Sequence, residues 1–227
     1  MKIIYEDNHI IAINKLFSEI VQGDITGDVS LDKMVKKYLK EKYNKPGNVY
    51  LGVTHRLDRP ASGVLLFAKT SKALSRLNEM FRNNAVKKTY RAIVKKPPVP
   101  SEGVLIHYMV KNQKQNKSYC YNEELNGTKK AELSYRVIAS SINYHLVEIL
   151  LKTGRHHQIR AQLAEIGCPI KGDIKYGFSR TNEYSGIALH ARKIECIHPI
   201  KKTPLCIVAE PPEDENLWSL LQNNVNQ

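Results

Sequence analysis

The chain has few of the features that mark a secreted, membrane-bound or metal-dependent protein. It holds only four cysteines in 227 residues, Cys120, Cys168, Cys196 and Cys206, and none stand in CxxC spacing. They read as reduced thiols of a cytoplasmic protein, not as a disulfide framework. Cys196, His198 and Cys206 follow no common zinc pattern, so no metal is expected. No apolar run approaches the roughly 20 residues that a membrane helix needs. The first residues, Met1-Lys2-Ile3-Ile4-Tyr5-Glu6-Asp7, lack the layout of a secretory signal. No internal repeat occurs. Acids are scarce, 22 against 35 Lys and Arg, which leaves a formal net charge of +13. Such an excess points to a polyanionic partner. The cations are dispersed: Lys36-Lys37, Lys87-Lys88, Lys95-Lys96, Lys129-Lys130 and Lys201-Lys202 are separate pairs, and Lys111, Lys114 and Lys117 form a spaced set. That pattern suits a folded surface touching backbone phosphates at many points, not a disordered basic arm.

What is present is a 42% hydrophobic chain, enough for a proper core. Residues 1–14 read as a strand hairpin around Asp7-Asn8. A helix starts at Ser30, with Leu31, Met34, Val35, Tyr38 and Leu39 at helical spacing, and Lys45-Pro46-Gly47 ends it. Residues 49–53 and 63–68 read as strands. Ser71 is expected to cap a helix that carries Leu74, Leu77 and Phe81 inward. Residues 90–94, 103–110, 131–139 and 144–151 read as strands, and His156 to Ile166 as a helix stopped by Gly167 and Pro169. Residues 187–194 and 204–209 are strands again, and Pro212 opens a last helix. Strands with irregularly interspersed helices predict an α+β fold, one catalytic domain over residues 1–227 with a mixed, largely antiparallel sheet. Pro97-Pro98-Val99-Pro100 is a loop within it.

The most informative segment runs from Thr54-His55-Arg56-Leu57-Asp58-Arg59-Pro60-Ala61 into Ser62-Gly63-Val64-Leu65-Leu66-Phe67. One carboxylate lies between two arginines, on a loop at a strand end. Neighbouring cations favour its ionised form, and an ionised Asp can be a nucleophile. The arginines can grip phosphate through forked hydrogen bonds. An isolated Arg-x-Asp would more often be a weak surface pair.

This run resembles the signature of the RluA-type pseudouridine synthases. Three further blocks do as well, in the same order. Lys87-Lys88-Thr89-Tyr90-Arg91-Ala92 is similar to the family's Lys-x-Tyr-x-Ala strand. Gly154-Arg155-His156-His157-Gln158-Ile159-Arg160 is similar to its GR-x-HQIR motif, with Gly172-Asp173 and Tyr176-Gly177 downstream. Ile187-Ala188-Leu189-His190-Ala191, then His198-Pro199, fits a late packing strand. The likeness extends over residues 5–210. It implies a long curved sheet flanked by helices, with a central basic cleft. It implies Asp58 as the catalytic residue, Arg160 as the arginine pairing with it, and Tyr90 stacking on the target base. Ile159 either faces the core or caps the base pocket. The resemblance gives Arg56 the place of a base that has been flipped out, with His55 assisting. Base flipping costs a few kcal/mol of stacking, and a planar guanidinium fills the gap well. Arg59, Arg155 and Lys88 are expected to contact the RNA. His157 is expected to hold a structural hydrogen bond. As adjacent helical residues, His156 and His157 would face different ways and not act as a pair.

The chain departs from the family pattern at Lys15-Leu16-Phe17-Ser18, where Lys-Pro-x-Gly is usual. Ala61 stands for a frequent Thr, and His156 for a Thr or Ser. No extension long enough for a small S4-type RNA-binding domain is seen, so target choice is expected to rest on the catalytic domain. The expected function is isomerisation of uridine to pseudouridine in structured RNA, rRNA or tRNA, by a monomer without cofactor. Attack by Asp58 at C1′, addition at C6 and removal of a ribose proton all stay open. The rival readings are a non-catalytic RNA-binding protein and a phosphoester hydrolase. The second would want clustered carboxylates and metal ions, and HRLD has no second acid beside it.

Overall fold

The computed structural model describes residues 1–23, 27–184, 186–212 and 216–226. One mixed, open sheet organises them. Its strands are β1 (Lys2–Glu6), β2 (Ile10–Lys15), β3 (Gly52–Val53), β4 (Ser62–Ala68), β5 (Lys87–Val94), β6 (Glu102–Asn112), β7 (Lys117–Tyr121), β8 (Lys129–Ser140), β9 (His145–Leu151), β10 (Leu189–Ile197) and β11 (Pro204–Val208). The main path is β1-β2-β4-β10-β5-β9-β8-β6-β7; β3 joins β4 and β11 joins β10. Only the β4–β10 pair is parallel among the described ladders. Among the described residues, four helices flank the sheet: α1 (Leu31–Lys42), α2 (Ser71–Arg82), α3 (Gln158–Glu165) and α4 (Asn216–Asn223).

The strand period of two explains how the first half is built. Every residue of β2 and β4 is buried. Ile11, Ile13, Leu65 and Phe67 meet Leu31, Val35 and Leu39 of α1. The alternate residues, Ile10, Ala12, Val64 and Leu66, meet Ala73 and Leu77 of α2. Both faces are covered, so these strands read as apolar runs without alternation. In the second half, Leu133, Leu146, Val147 and Ile149 share a core with Ile159 and Leu163 of α3 and with Trp218 and Leu221 of α4.

Several local expectations need correction. Thr70, not Ser71, caps α2: its Oγ1 accepts from Ala73 N at 3.3 Å. β7 was not foreseen, because Lys117-Ser-Tyr-Cys-Tyr buries only Ser118 outright. β3 is two residues long rather than five. α3 starts two residues late, because His157 adopts a left-handed backbone, φ 53°. The start expected at Pro212 involves residues 213–215, which lie outside the described residues; α4 is described from Asn216.

On the edge of β4 that faces β10, pairing is interrupted. Ser62 and Gly63 pair with β10, and Phe67 and Ala68 pair with β3. Between them, Leu66 N–H donates to His55 Nε2 at 3.1 Å, and Thr54 Oγ1 donates to the Leu66 carbonyl. Two side chains thus complete the backbone pairing that the diverging strands leave open, and the HRLD loop is tied to the sheet where it begins.

Gly63 stands at this divergence with φ +116°. A Cβ there would land 2.5 Å from the Ala191 amide nitrogen and closer still to its carbonyl oxygen. Neither backbone can yield without breaking the parallel pair. Gly63→Ala should therefore cost more than about 4 kcal/mol, seen in urea denaturation or as loss of folded protein. A wild-type midpoint would refute this account of the β4–β10 junction.

Candidate active site

Three segments meet beside the β4–β10–β5 junction: the loop 54–61, the turn 152–157 leading into α3, and the described parts of the stretch 170–188, residues 170–184 and 186–188. Hydrogen bonds between backbones fix their mutual positions. Ile187 N bonds Pro60 O at 3.0 Å, and Lys171 N bonds Ile93 O on β5 at 2.8 Å. Ala61 N closes the HRLD turn onto Asp58 O at 3.1 Å.

Lys15 holds the same loop from below. It is fully buried, and its Nζ donates to the carbonyls of Leu16, Arg59 and Ala61 at 3.0, 3.0 and 2.6 Å. Burial pushes its pKa down to about 8 and Arg59 adds to this, while Glu19 and Asp58 pull the other way. Ser18 takes the left-handed conformation, φ 71°, at the position where the family pattern has glycine. Its N–H bonds Arg59 O at 3.0 Å. The turn is retained despite the departure at Leu16-Phe17-Ser18.

Arg160 is at the centre. It lies on the first turn of α3, 5% exposed. Its Nε and Nη2 reach Asp173 Oδ2 and Oδ1 at 2.7 and 2.8 Å, a two-pronged pair. Its Nη1 reaches Asp58 Oδ2 at 3.2 Å. Burial alone would lower the Arg160 pKa; Asp173, then Asp58, outweigh it and raise it. Asp58 itself keeps 27% of its side chain open to solvent, so one carboxylate is buried for structure and the other faces outward.

Behind Arg160 stand His157 and Tyr176. His157 Nε2 lies 3.7 Å from Asp58 Oδ2, and its Nδ1 shares a hydrogen bond of 3.0 Å with Tyr176 OH. The Tyr176 ring lies under the Arg160 guanidinium at 5.1 Å, and its hydroxyl accepts from Ser118 N at 2.8 Å. Burial, then Arg160 and the neighbouring His156, Lys175 and Lys111, push the His157 pKa down to about 2. His157 is neutral at physiological pH, so its approach to Asp58 is not an ion pair. The left-handed turn at His157 also stacks its ring on His156, centroids 3.7 Å apart. The expectation that the two rings diverge assumed that both sit in the helix, which they precede.

Tyr90 is on β5, opposite Ala191, where Arg192 forms a bulge in β10. It is 9% exposed, and its pKa is raised by burial and by the Asp58 charge. The phenol therefore keeps its proton. Ile159 is 5% exposed and packed in the main core. Arg56 is exposed and makes no side-chain hydrogen bond or ion pair among the described residues. Lys88 is half-buried, with its pKa lowered by desolvation. Other expected RNA contacts have partners within the chain. His55 is turned to Leu66 N, its pKa held down to about 3 by burial and by Lys88. Arg59 pairs with Asp28 at 2.6 Å, and Arg155 Nε donates to Lys130 O at 2.9 Å. Asp173, Tyr176 and Lys15 were given no role from the sequence. The Gly172-Asp173 step beside a Tyr-Gly was visible there, but its partner was not. Among the described residues, no group of three His, Cys, Asp or Glu is placed to hold a metal.

Comparison with known proteins identifies the family of the chain as a whole. The family model described as RNA pseudouridylate synthase matches residues 9–165. The chain belongs to this family. It is 29% identical over 227 residues to a tRNA pseudouridine synthase C of Vibrio cholerae, covering 92% of this chain and 90% of that one. It is 35% identical over 195 residues to a ribosomal large subunit pseudouridine synthase C of Rickettsia bellii, covering 85% of this chain but 62% of that longer protein. Among solved structures, human RNA pseudouridylate synthase domain containing 4 superposes with a TM-score of 0.79 at 24% identity, over 99% of this chain and 93% of that one. That likeness extends to the fold. The family's chemistry is the isomerisation of RNA uridine to pseudouridine.

Asp173→Asn removes one of two carboxylates from a buried cation. Stability should fall by about 3 kcal/mol, read from denaturant unfolding. A loss below about 1 kcal/mol would mean that Asp58 alone holds Arg160.

Proposed function

We propose that this chain converts specific uridines to pseudouridine in a structured ribosomal or transfer RNA, with Asp58 as the catalytic carboxylate. The observation that carries the reading is the fixed triangle of Asp58, Arg160 and Asp173. A buried Arg with two anchors on one carboxylate offers its remaining nitrogen to another that faces solvent, beside the ring of Tyr90. The isomerisation breaks N1–C1′, forms C5–C1′, moves the C5 proton away and places one on N1. Atoms and electrons balance within the substrate, so no cofactor enters.

Each residue has a part in this scheme. Arg160 holds Asp58 in one rotamer and offsets its charge. Attack at C1′, addition at C6 and ribose deprotonation all begin from that carboxylate. Tyr90 supplies an aromatic face to uracil; stacking of this kind is worth about 1–3 kcal/mol per base. Its protonated phenol is suited to donating a hydrogen bond. Arg56, exposed and without a side-chain partner among the described residues, stacks in the gap left by the flipped base. Lys88, Lys111 and Lys175 surround the site with positive charge. His55, Arg59 and Arg155 act through the backbone and ion pairs that set the loop and the turn.

Mapping pseudouridine at nucleotide resolution in RNA from cells with and without this gene tests the reading. Sites should vanish on deletion and return with wild type but not with Asp58→Asn, which should still bind RNA. Asp58→Asn activity within tenfold of wild type would overturn the role of this residue. Arg56→Ala should slow single-turnover reaction on a structured stem-loop more than on a short flexible strand. Equal losses on both would remove it from base flipping.

A further inference from the structure

The β6–β7 hairpin has two unlike faces. Leu105, His107 and Met109 of β6 and Ser118 of β7 are turned inward. Ser118 bonds Tyr176 and His156 there, beside the site. The opposite face is aromatic and open. Register pairs Tyr108 with Tyr121 and Val110 with Tyr119, and Tyr119 and Tyr121 are 37% and 39% exposed. A cleft of about 370 Å³ lies there, lined by Val110, Lys111, Asn112, Gln115, Tyr119 and Tyr121. This size is within the range of small-ligand sites.

The cleft's polar groups are arranged by the turn. Gln115 N–H donates to Asn112 Oδ1 at 3.1 Å, and Tyr119 OH donates to Gln115 Oε1. Both amide oxygens are used, and both amide NH₂ groups are left without a partner among the described residues. An amide in this state offers two donors. Lys117 Nζ lies 5.5 Å from the Tyr119 ring centroid and 5.1 Å from that of Tyr176, linking the outer face to the inner one. Lys111 and Lys114 continue the charge to the hairpin tip. Glu123 and Glu124 follow β7 and bound the basic surface at its far end.

We propose that this outer face is a second RNA-binding site, which holds an unpaired nucleobase away from the catalytic cleft. The base stacks on Tyr119 or Tyr121, its edge accepts from the Asn112 and Gln115 amides, and Lys117, beside the Tyr119 ring, meets the adjoining phosphate. Open aromatic rings interleaved with lysine on a sheet face are the elements of a single-strand platform. The same combination, in a chain of net charge +13, favours RNA over a protein partner as occupant. The proposal rests on RNA as the substrate and adds how an unpaired nucleotide beyond the target is held.

Tyr119→Ala and Tyr121→Ala, singly and together, test it beside Tyr119→Phe and Tyr121→Phe. The probe is a uridine 12-mer carrying one 2-aminopurine. Its affinity is read by anisotropy at fixed salt, and base stacking by fluorescence quenching. Loss of a stacked ring should weaken binding about five- to a hundredfold and abolish part of the quenching, while the Phe variants keep both. Thermal melting checks that each variant is folded. Folded Ala variants that bind and quench as wild type does would overturn the site; so would Phe variants that lose as much as Ala. If wild type makes no pseudouridine in any RNA but the ring-dependent quenching persists, the catalytic reading fails and this site stands.

Discussion

The buried guanidinium of Arg160 is the interaction on which the site depends. A cation removed from water is costly unless charge and hydrogen bonds replace its solvent. Asp173 replaces it in full on one edge, with two short bonds, and Asp58 partly on the other. The consequence is directional. A guanidinium fixed along one edge has no freedom to swing, so Asp58 meets a donor in a set position. The role proposed for Asp58 needs such preorganisation, because a rotamer that must be found anew costs rate.

The fold supplies the rigidity for this arrangement from several sides. Lys171 N and Ile93 O attach the Asp173 loop to β5, the strand that presents Tyr90. Lys15 ties three carbonyls around the HRLD turn. His55 and Thr54 occupy the gap in pairing where β4 leaves β10. The interior polar groups of α3 are satisfied too: Gln158 bonds Gln162, which in turn bonds His107 and the Leu105 carbonyl of β6. Buried polar networks of this kind confer geometry more than stability. Acid, cation and aromatic ring thus come from three elements that are cross-braced to one another.

Much of the fold was legible in the residues. The apolar runs 10–13 in β2 and 64–68 in β4, the helical spacing of Leu31, Val35 and Leu39, and most of the succession of strands and helices along the chain all appeared in the structure. The misses have separate causes. His157 read as helical because local pattern carries no sign of a left-handed turn in a non-glycine residue. β7 was overlooked because its outward tyrosines and lysine weaken the contrast between faces. For His55, Arg59 and Arg155 the sequence showed the charges but not the partners within the chain. Those partners, Leu66, Asp28 and Lys130, lie 11, 31 and 25 residues away in sequence.

The sequence by itself determined the family, the α+β class, the basic character and the presence of one acid among cations at Asp58. These follow from local pattern and composition, which the chain carries residue by residue. Only the tertiary structure decided that Arg160 serves two carboxylates, that His157 is neutral and outside its helix, and that Lys15 holds the HRLD loop. Each depends on distances between segments remote in sequence, and on the desolvation that burial alone imposes. A charge written in a sequence has no pKa and no partner until the fold removes its water and puts another group in place.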